Sequence, residues 1–116
     1  MDAEITPEDV ETLLESDDRP RIVDIRSPGE FDRGHIPGSE NVPFGELPDR
    51  VEDFAGADHI VTVCPHGKAS VQAARLIGSY EGTTDARVES MAGGLEAWDG
   101  PLETGDGETE TPDSPF

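Results

Sequence analysis

The stretch Ile60-Val61-Thr62-Val63-Cys64-Pro65-His66-Gly67-Lys68-Ala69-Ser70 runs from an apolar, β-branched segment, through a compact turn, into the start of a helix. Ile, Val and Thr fit a pleated, buried strand, and Gly67 can take a left-handed or closely approached backbone. The junction places the sulfur of Cys64 where the C-terminal edge of a strand meets a helix N-terminus. Backbone N–H groups and the helix dipole favour negative charge there. A thiol in that position loses its proton more easily and becomes a nucleophile.

On either side of this stretch, strand-like and helix-like runs alternate. Glu4-Ile5 can open with a short strand. Thr6-Pro7-Glu8-Asp9 is a helix start, with Thr6 as N-cap and acids near the positive end, and Val10, Leu13 and Leu14 form its apolar face. Arg21 to Ile25 is a buried strand ending beside Asp24 and Arg26, and Ser27-Pro28-Gly29-Glu30 is a capping box for a short helix through Arg33. Glu40-Asn41-Val42 is a short strand closed by Pro43, and Gly45 to Asp53 has helical spacing at Leu47 and Val51. Ser70 to Tyr80 is the best helix pattern, with Val71, Ala74 and Ile77 on one face. Arg87 to Met91 is a last strand, Gly93-Gly94 a turn, and Leu95 to Asp99 a short closing helix with Trp98 as a core side chain. Alternation of this kind predicts an α/β fold with a small, mainly parallel central sheet of about five strands and helices on both faces. Such folds put their sites at the C-terminal ends of the strands, where Asp24–Arg26 and Cys64–Ser70 both fall.

Composition narrows the partners. With 27 acidic and 8 basic side chains the formal net charge is -19, which repels nucleic acid and anionic membranes. High charge with few Leu, Ile, Val and Phe is a signature of disorder, but here the apolar residues are clustered into runs. Lys68 is the single lysine, against seven arginines. An acidic, lysine-poor surface resembles that of proteins from salt-loving archaea. No segment has the order of a signal peptide, and no apolar run approaches membrane-spanning length. The single cysteine excludes an internal disulfide. A cytoplasmic protein with a reducible thiol is expected. The expected domain is 1–102, followed by an acidic, disordered tail over 103–116 that has no cation. No set of His, Cys and carboxylates has metal-site spacing, so neither metal nor cofactor is expected.

Successive inward N–H groups of a loop from Cys64 to Ser70 would form an anion-binding nest. Lys68 adds a mobile positive charge, and Ser70 can cap the helix or donate to an anion. Such a loop stabilises a thiolate, a persulfide or a bound oxyanion. The thiol alone leaves a protease-like nucleophile, a phosphatase and a redox sensor open.

Four segments in order resemble the rhodanese family of sulfurtransferases, over roughly residues 4 to 100. Val23-Asp24-Ile25-Arg26-Ser27-Pro28-Gly29-Glu30-Phe31 resembles the family's Asp-x-Arg segment with its acidic-aromatic pair. Gly34-His35-Ile36-Pro37-Gly38-Ser39-Glu40-Asn41-Val42-Pro43 resembles its Gly-His-Ile-Pro-Gly-Ala-x-Asn-x-Pro signature, with Ser39 for Ala. Cys64-x-x-Gly67-x-x-Ser70 is similar to the active loop, and Gly93-Gly94-Leu95-Glu96-Ala97-Trp98 to the closing Gly-Gly-x-x-x-Trp.

The resemblance implies a rhodanese-like fold and covalent, two-step chemistry of the thiosulfate:cyanide sulfurtransferase type. Cys64 takes a sulfane sulfur from a small anionic donor, thiosulfate or a persulfide, and passes it to a thiol or a sulfur-acceptor protein such as a thioredoxin-like protein. Pro65, His66, Gly67, Lys68, Ala69 and Ser70 form the active loop, with Arg26 as a further donor-binding candidate and Asp24 and His35 as structural support. His66 needs no proton role, because a thiolate attacks sulfane sulfur without a general base, and His59 is expected on the surface at a strand start. The loop departs from the family pattern at Pro65 and Ala69, where many members carry arginines that hold a dianion. Related phosphatases of this fold have a loop one residue longer, with an arginine before the closing position, which argues against phosphatase activity. The alternatives are a persulfide carrier for protein acceptors with little thiosulfate activity, and a non-catalytic binding module that keeps the fold.

Overall fold

The computed structural model describes residues 3–104. Five strands, β1 (Glu4–Ile5), β2 (Arg21–Asp24), β3 (Glu40–Asn41), β4 (His59–Val63) and β5 (Arg87–Met91), alternate with four helices, α1 (Pro7–Leu14), α2 (Pro28–Arg33), α3 (Leu47–Arg50) and α4 (Ala69–Gly78). The strands form one sheet in the order β1-β5-β4-β2-β3. Every strand pair in it is parallel. Parallel neighbours need crossover connections, and the helices supply them. Among the described residues, no helix is long and apolar enough to cross a membrane.

Alternation along β4 sorts the core onto the two faces. Ile60 joins Val23, Leu47, Phe54, Ala73 and Ile77 on one side. Val61 and Val63 join Val10, Ile22, Met91 and Trp98 on the other. A strand buried on both faces reads as a continuous apolar run, as β4 does. The predicted α/β architecture is the one observed.

Capping follows the sequence closely. The Thr6 hydroxyl accepts the Asp9 amide at 3.1 Å, and Ser27 and Glu30 complete a capping box around Pro28. Most boundaries fall within two residues of expectation, and three segments depart from it in kind. The segment from Gly45 to Asp53 is broken into a 3₁₀ turn (Phe44–Glu46), α3, and a second 3₁₀ turn (Val51–Phe54). Pro48, which has no backbone N–H to donate, falls in the first turn of α3, where that loss is tolerated, so an α turn begins beside it rather than running through it. The predicted helix over Leu95 to Asp99 is a 3₁₀ turn, Gly94–Ala97. Finally, Glu103 belongs to the fold and not to a tail starting at 103. Its amide and carbonyl pair with the carbonyl and amide of His35, both at 2.8 Å. The remainder of the expected tail, 105–116, lies outside the described residues.

Candidate active site

β4 delivers the chain to Cys64 and α4 takes it up at Ala69, leaving a loop of Cys64 to Lys68. Gly67 turns this loop with φ +82°, a left-handed conformation that glycine adopts without steric penalty. The turn aims amides inward at the sulfur. Gly67 N–H donates to Cys64 Sγ at 3.1 Å and Ser70 N–H at 3.3 Å, while Ser70 Oγ lies 3.3 Å from Sγ. Lys68, the residue preceding α4, gives no side-chain cap. The sulfur is therefore the acceptor for a first-turn amide of α4 that would otherwise lack a partner. The α4 first turn carries no acidic residue, which leaves its positive end uncompensated.

Cys64 is only 2% exposed. Burial pushes the thiol up, but hydrogen bonds outweigh it: the Ser70 hydroxyl and the Ser70, His66 and Gly67 amides hold Cys64 below the ordinary thiol value. The loop thus stabilises negative charge on sulfur mainly with neutral donors.

A glycine pair beyond the C-terminal end of the neighbouring strand, β5, packs against the loop. Gly93 and Gly94, both at positive φ, follow β5 after Ala92. A Cβ on Gly67 would stand 2.7 Å from the Gly93 amide nitrogen, so only glycine allows the two backbones to approach. The Leu95 and Glu96 amides then donate to the Cys64 and Pro65 carbonyls at 2.9 and 3.1 Å. The sequence marks the pair as a turn, and its packing against the active loop emerges only in three dimensions.

The β2 end supplies a second support. Asp24, 1% exposed, accepts Arg26 Nε at 2.9 Å and Nη2 at 2.8 Å, and also the Arg26 amide at 3.0 Å. Arg26 Nη2 donates further to the Gly34 carbonyl at 2.7 Å. Asn41 Nδ2 bridges the carbonyls of Asp24 and Arg26 at 3.0 and 2.9 Å. These bonds tie Arg26 into the loop framework. His35 stacks on Phe31 at 3.8 Å between ring centroids, and its Nδ1 bonds the Phe31 carbonyl at 2.8 Å.

Of the other loop residues, Pro65 is half-buried and His66, Lys68 and Ala69 are exposed. His66 Nδ1 lies 3.3 Å from Glu96, and Lys68 enters no ion pair among the described residues. His59 is not a surface residue: it is half-buried, with Nε2 2.6 Å from the buried Glu89. Ser90 is a site residue that sequence reasoning misses: its buried hydroxyl sits 2.7 Å from that of Ser70. Its signal is faint, a lone hydroxyl in a short strand.

A thiol held below its ordinary value at the C-terminal edge of a doubly covered parallel sheet, cradled by the amides of a strand–helix loop, defines an α/β protein that stabilises negative charge on one cysteine sulfur. The family model for the rhodanese-like domain matches residues 6–100, and the chain belongs to that family. Similar proteins include the thiosulfate sulfurtransferase GlpE of Pseudomonas aeruginosa, 38% identical over 97 residues, with 81% of each chain covered. Another is YrkF of Bacillus subtilis, provisionally named a sulfur carrier, 34% identical over 64% of this chain; the match spans only 40% of YrkF. Among solved structures, a rhodanese-related protein from Thermoplasma volcanium superposes with a TM-score of 0.73 over 87% of this chain and 97% of that chain. At its 21% identity the likeness is one of fold.

Proposed function

We propose that the protein is a sulfurtransferase whose Cys64 carries sulfane sulfur as a persulfide. The observation that carries this reading is the set of polar groups around one sulfur: the Gly67 and Ser70 amides donate to Sγ and the Ser70 hydroxyl bonds it, all within 3.3 Å. In the first half-reaction the Cys64 thiolate attacks the outer sulfur of a donor. A new S–S bond forms, the donor's S–S bond breaks, and with thiosulfate the electron pair leaves on sulfite. In the second, a nucleophilic acceptor takes the outer sulfur and Cys64 is restored as thiolate. Charge resides on sulfur in every state, so amides fixed in advance stabilise the whole cycle. Mass spectrometry after incubation with thiosulfate or a low-molecular-weight persulfide is expected to show one added sulfur, absent in Cys64→Ser. Lack of the adduct with every sulfane donor would overturn the reading.

A second reading, a persulfide carrier serving protein acceptors, is favoured by Pro65 and Ala69, which stand where many family loops place arginines. Similarity to YrkF supports it as well. Without those cations a dianionic donor has only Lys68 as a charge from the loop. Turnover with thiosulfate, set against turnover with a persulfide donor, separates the two. The acidic, lysine-poor composition further supports a protein adapted to high salt.

A further inference from the structure

Cys64, Ser70 and Ser90 form a chain of polar atoms that leads from the active loop into the sheet. Ser70 Oγ lies 3.3 Å from Cys64 Sγ and 2.7 Å from Ser90 Oγ. Both serines are fully buried. Ser90 sits on β5 directly opposite Thr62 of β4, beneath the first turn of α4. The Thr62 hydroxyl there donates to the Ser70 carbonyl at 2.7 Å. A buried hydroxyl costs stability unless it is bonded, and the only described partner of the Ser90 hydroxyl is Ser70.

Counting protons decides which charge state this chain prefers. Three atoms, Sγ, Ser70 Oγ and Ser90 Oγ, are joined by two links. With a neutral thiol there are three protons for two links, so one buried proton has no acceptor within the chain in any arrangement. With a thiolate there are two protons and both are used: Ser90 donates to Ser70, and Ser70 donates to sulfur. The same holds for a persulfide anion whose charge is shared with Sγ. Hydrogen bonds aligned in this way polarise one another.

We infer that Ser90 is a positioning residue for the nucleophile: it donates to Ser70 Oγ, commits the Ser70 proton to Cys64 Sγ, and so favours the charged sulfur. Ser90 touches neither donor nor acceptor and acts entirely through Ser70. This rests on the sulfur-transfer reading for its purpose. Its readout, ionisation of the Cys64 thiol, can be measured whether or not sulfur is transferred, so the two fail separately.

The test is the pH profile of Cys64 alkylation by iodoacetamide in the full chain. Ser90→Ala is expected to move the midpoint upward by roughly half a pH unit, with Ser90→Thr restoring it. A larger upward shift is expected for Ser70→Ala, which removes the direct donor. An unchanged midpoint in folded Ser90→Ala, beside a shifted one in Ser70→Ala, overturns the inference. If Ser90→Ala does not fold, the wild-type protein decides by NMR. The Ser90 Cβ shift is expected to titrate with the midpoint of Cys64, and a flat shift through that midpoint overturns the proposal.

Discussion

The α-carbon of Gly94 lies against the carbonyl of Cys64, so close that a Cβ there would overlap the carbonyl oxygen and stand 2.5 Å from the Pro65 carbonyl carbon. The closing glycine pair and the Cys64 loop are therefore one packed unit. Gly94→Ala would force this contact apart at a residue whose φ is +64°. Left-handed strain of about 1–2 kcal/mol and overpacking of about 1–3 kcal/mol are expected to combine. Urea denaturation should show a loss within the combined range. Cys64 alkylation should slow in the folded fraction, because the displaced loop no longer aims its amides at sulfur.

Ionisation of Cys64 links the site to stability. Its pKa is held down in the folded protein by the Ser70 hydroxyl and by the Ser70, His66 and Gly67 amides, against the upward push of burial. The unfolded thiol titrates at about 8.5. Between the folded value and the unfolded one, the unfolded chain binds the extra proton, so stability rises with pH across that window. It is fully present above the unfolded value and lost as pH falls through the folded one. Denaturation midpoints followed over this range should climb in the wild type. The slope should be absent in Cys64→Ala and reduced in Ser70→Ala.

Much of this site is legible in the sequence because its parts are local. Cys64, Gly67 and Ser70 lie within one strand–turn–helix passage, and each residue type there has a recognisable role: the sulfur ends an apolar strand, the glycine turns left-handed, and the serine sits at a helix start. Asp24 and Arg26 are visible for the same reason, since both end one strand. What the sequence hides depends on chain crossings. Ser90 reaches Ser70 only because β5 lies beside β4, and nothing in its own neighbours specifies that register. Glu103 returns to His35 through a two-bond bridge, while its acidic, Gly- and Thr-rich surroundings carry a composition typical of disorder. His59 similarly reads as exposed by residue type, yet the adjacent strand places Glu89 against it.

Arg26 and Asp24 test support against donor contact. The Asp24 carboxylate is almost fully buried, and Arg26 is its partner through two nitrogens. Removing one member of a buried pair leaves an uncompensated charge and costs about 3–5 kcal/mol. Arg26→Gln is expected to show a loss of that order in urea denaturation, with the KM for thiosulfate unchanged at temperatures where the variant stays folded. A raised KM without loss of stability would instead return Arg26 to the donor site.

Lys68 offers the opposite pattern. It is exposed at the end of the sulfur loop and has no ion-pair partner among the described residues, so its removal should leave the fold intact. Its worth to an approaching anion is on the order of 1 kcal/mol near water's dielectric. Lys68→Ala should therefore lower kcat/KM for thiosulfate roughly five- to tenfold at low salt. A neutral persulfide donor should be affected far less, and the thermal midpoint should hold.

The net charge of -19 makes salt the remaining variable. In dilute buffer the like charges repel one another and repel an anionic donor. Molar salt shortens the Debye length to about 3 Å and removes most of both effects. Thermal stability and the rate of persulfide formation should therefore rise together from dilute buffer to molar potassium chloride. The Lys68→Ala defect should shrink over the same range, because the attraction it removes is screened too. Stability that peaks in dilute buffer would show that the acidic surface is not a salt adaptation. A Lys68 defect unchanged by salt would show that the lysine acts by contact rather than by field.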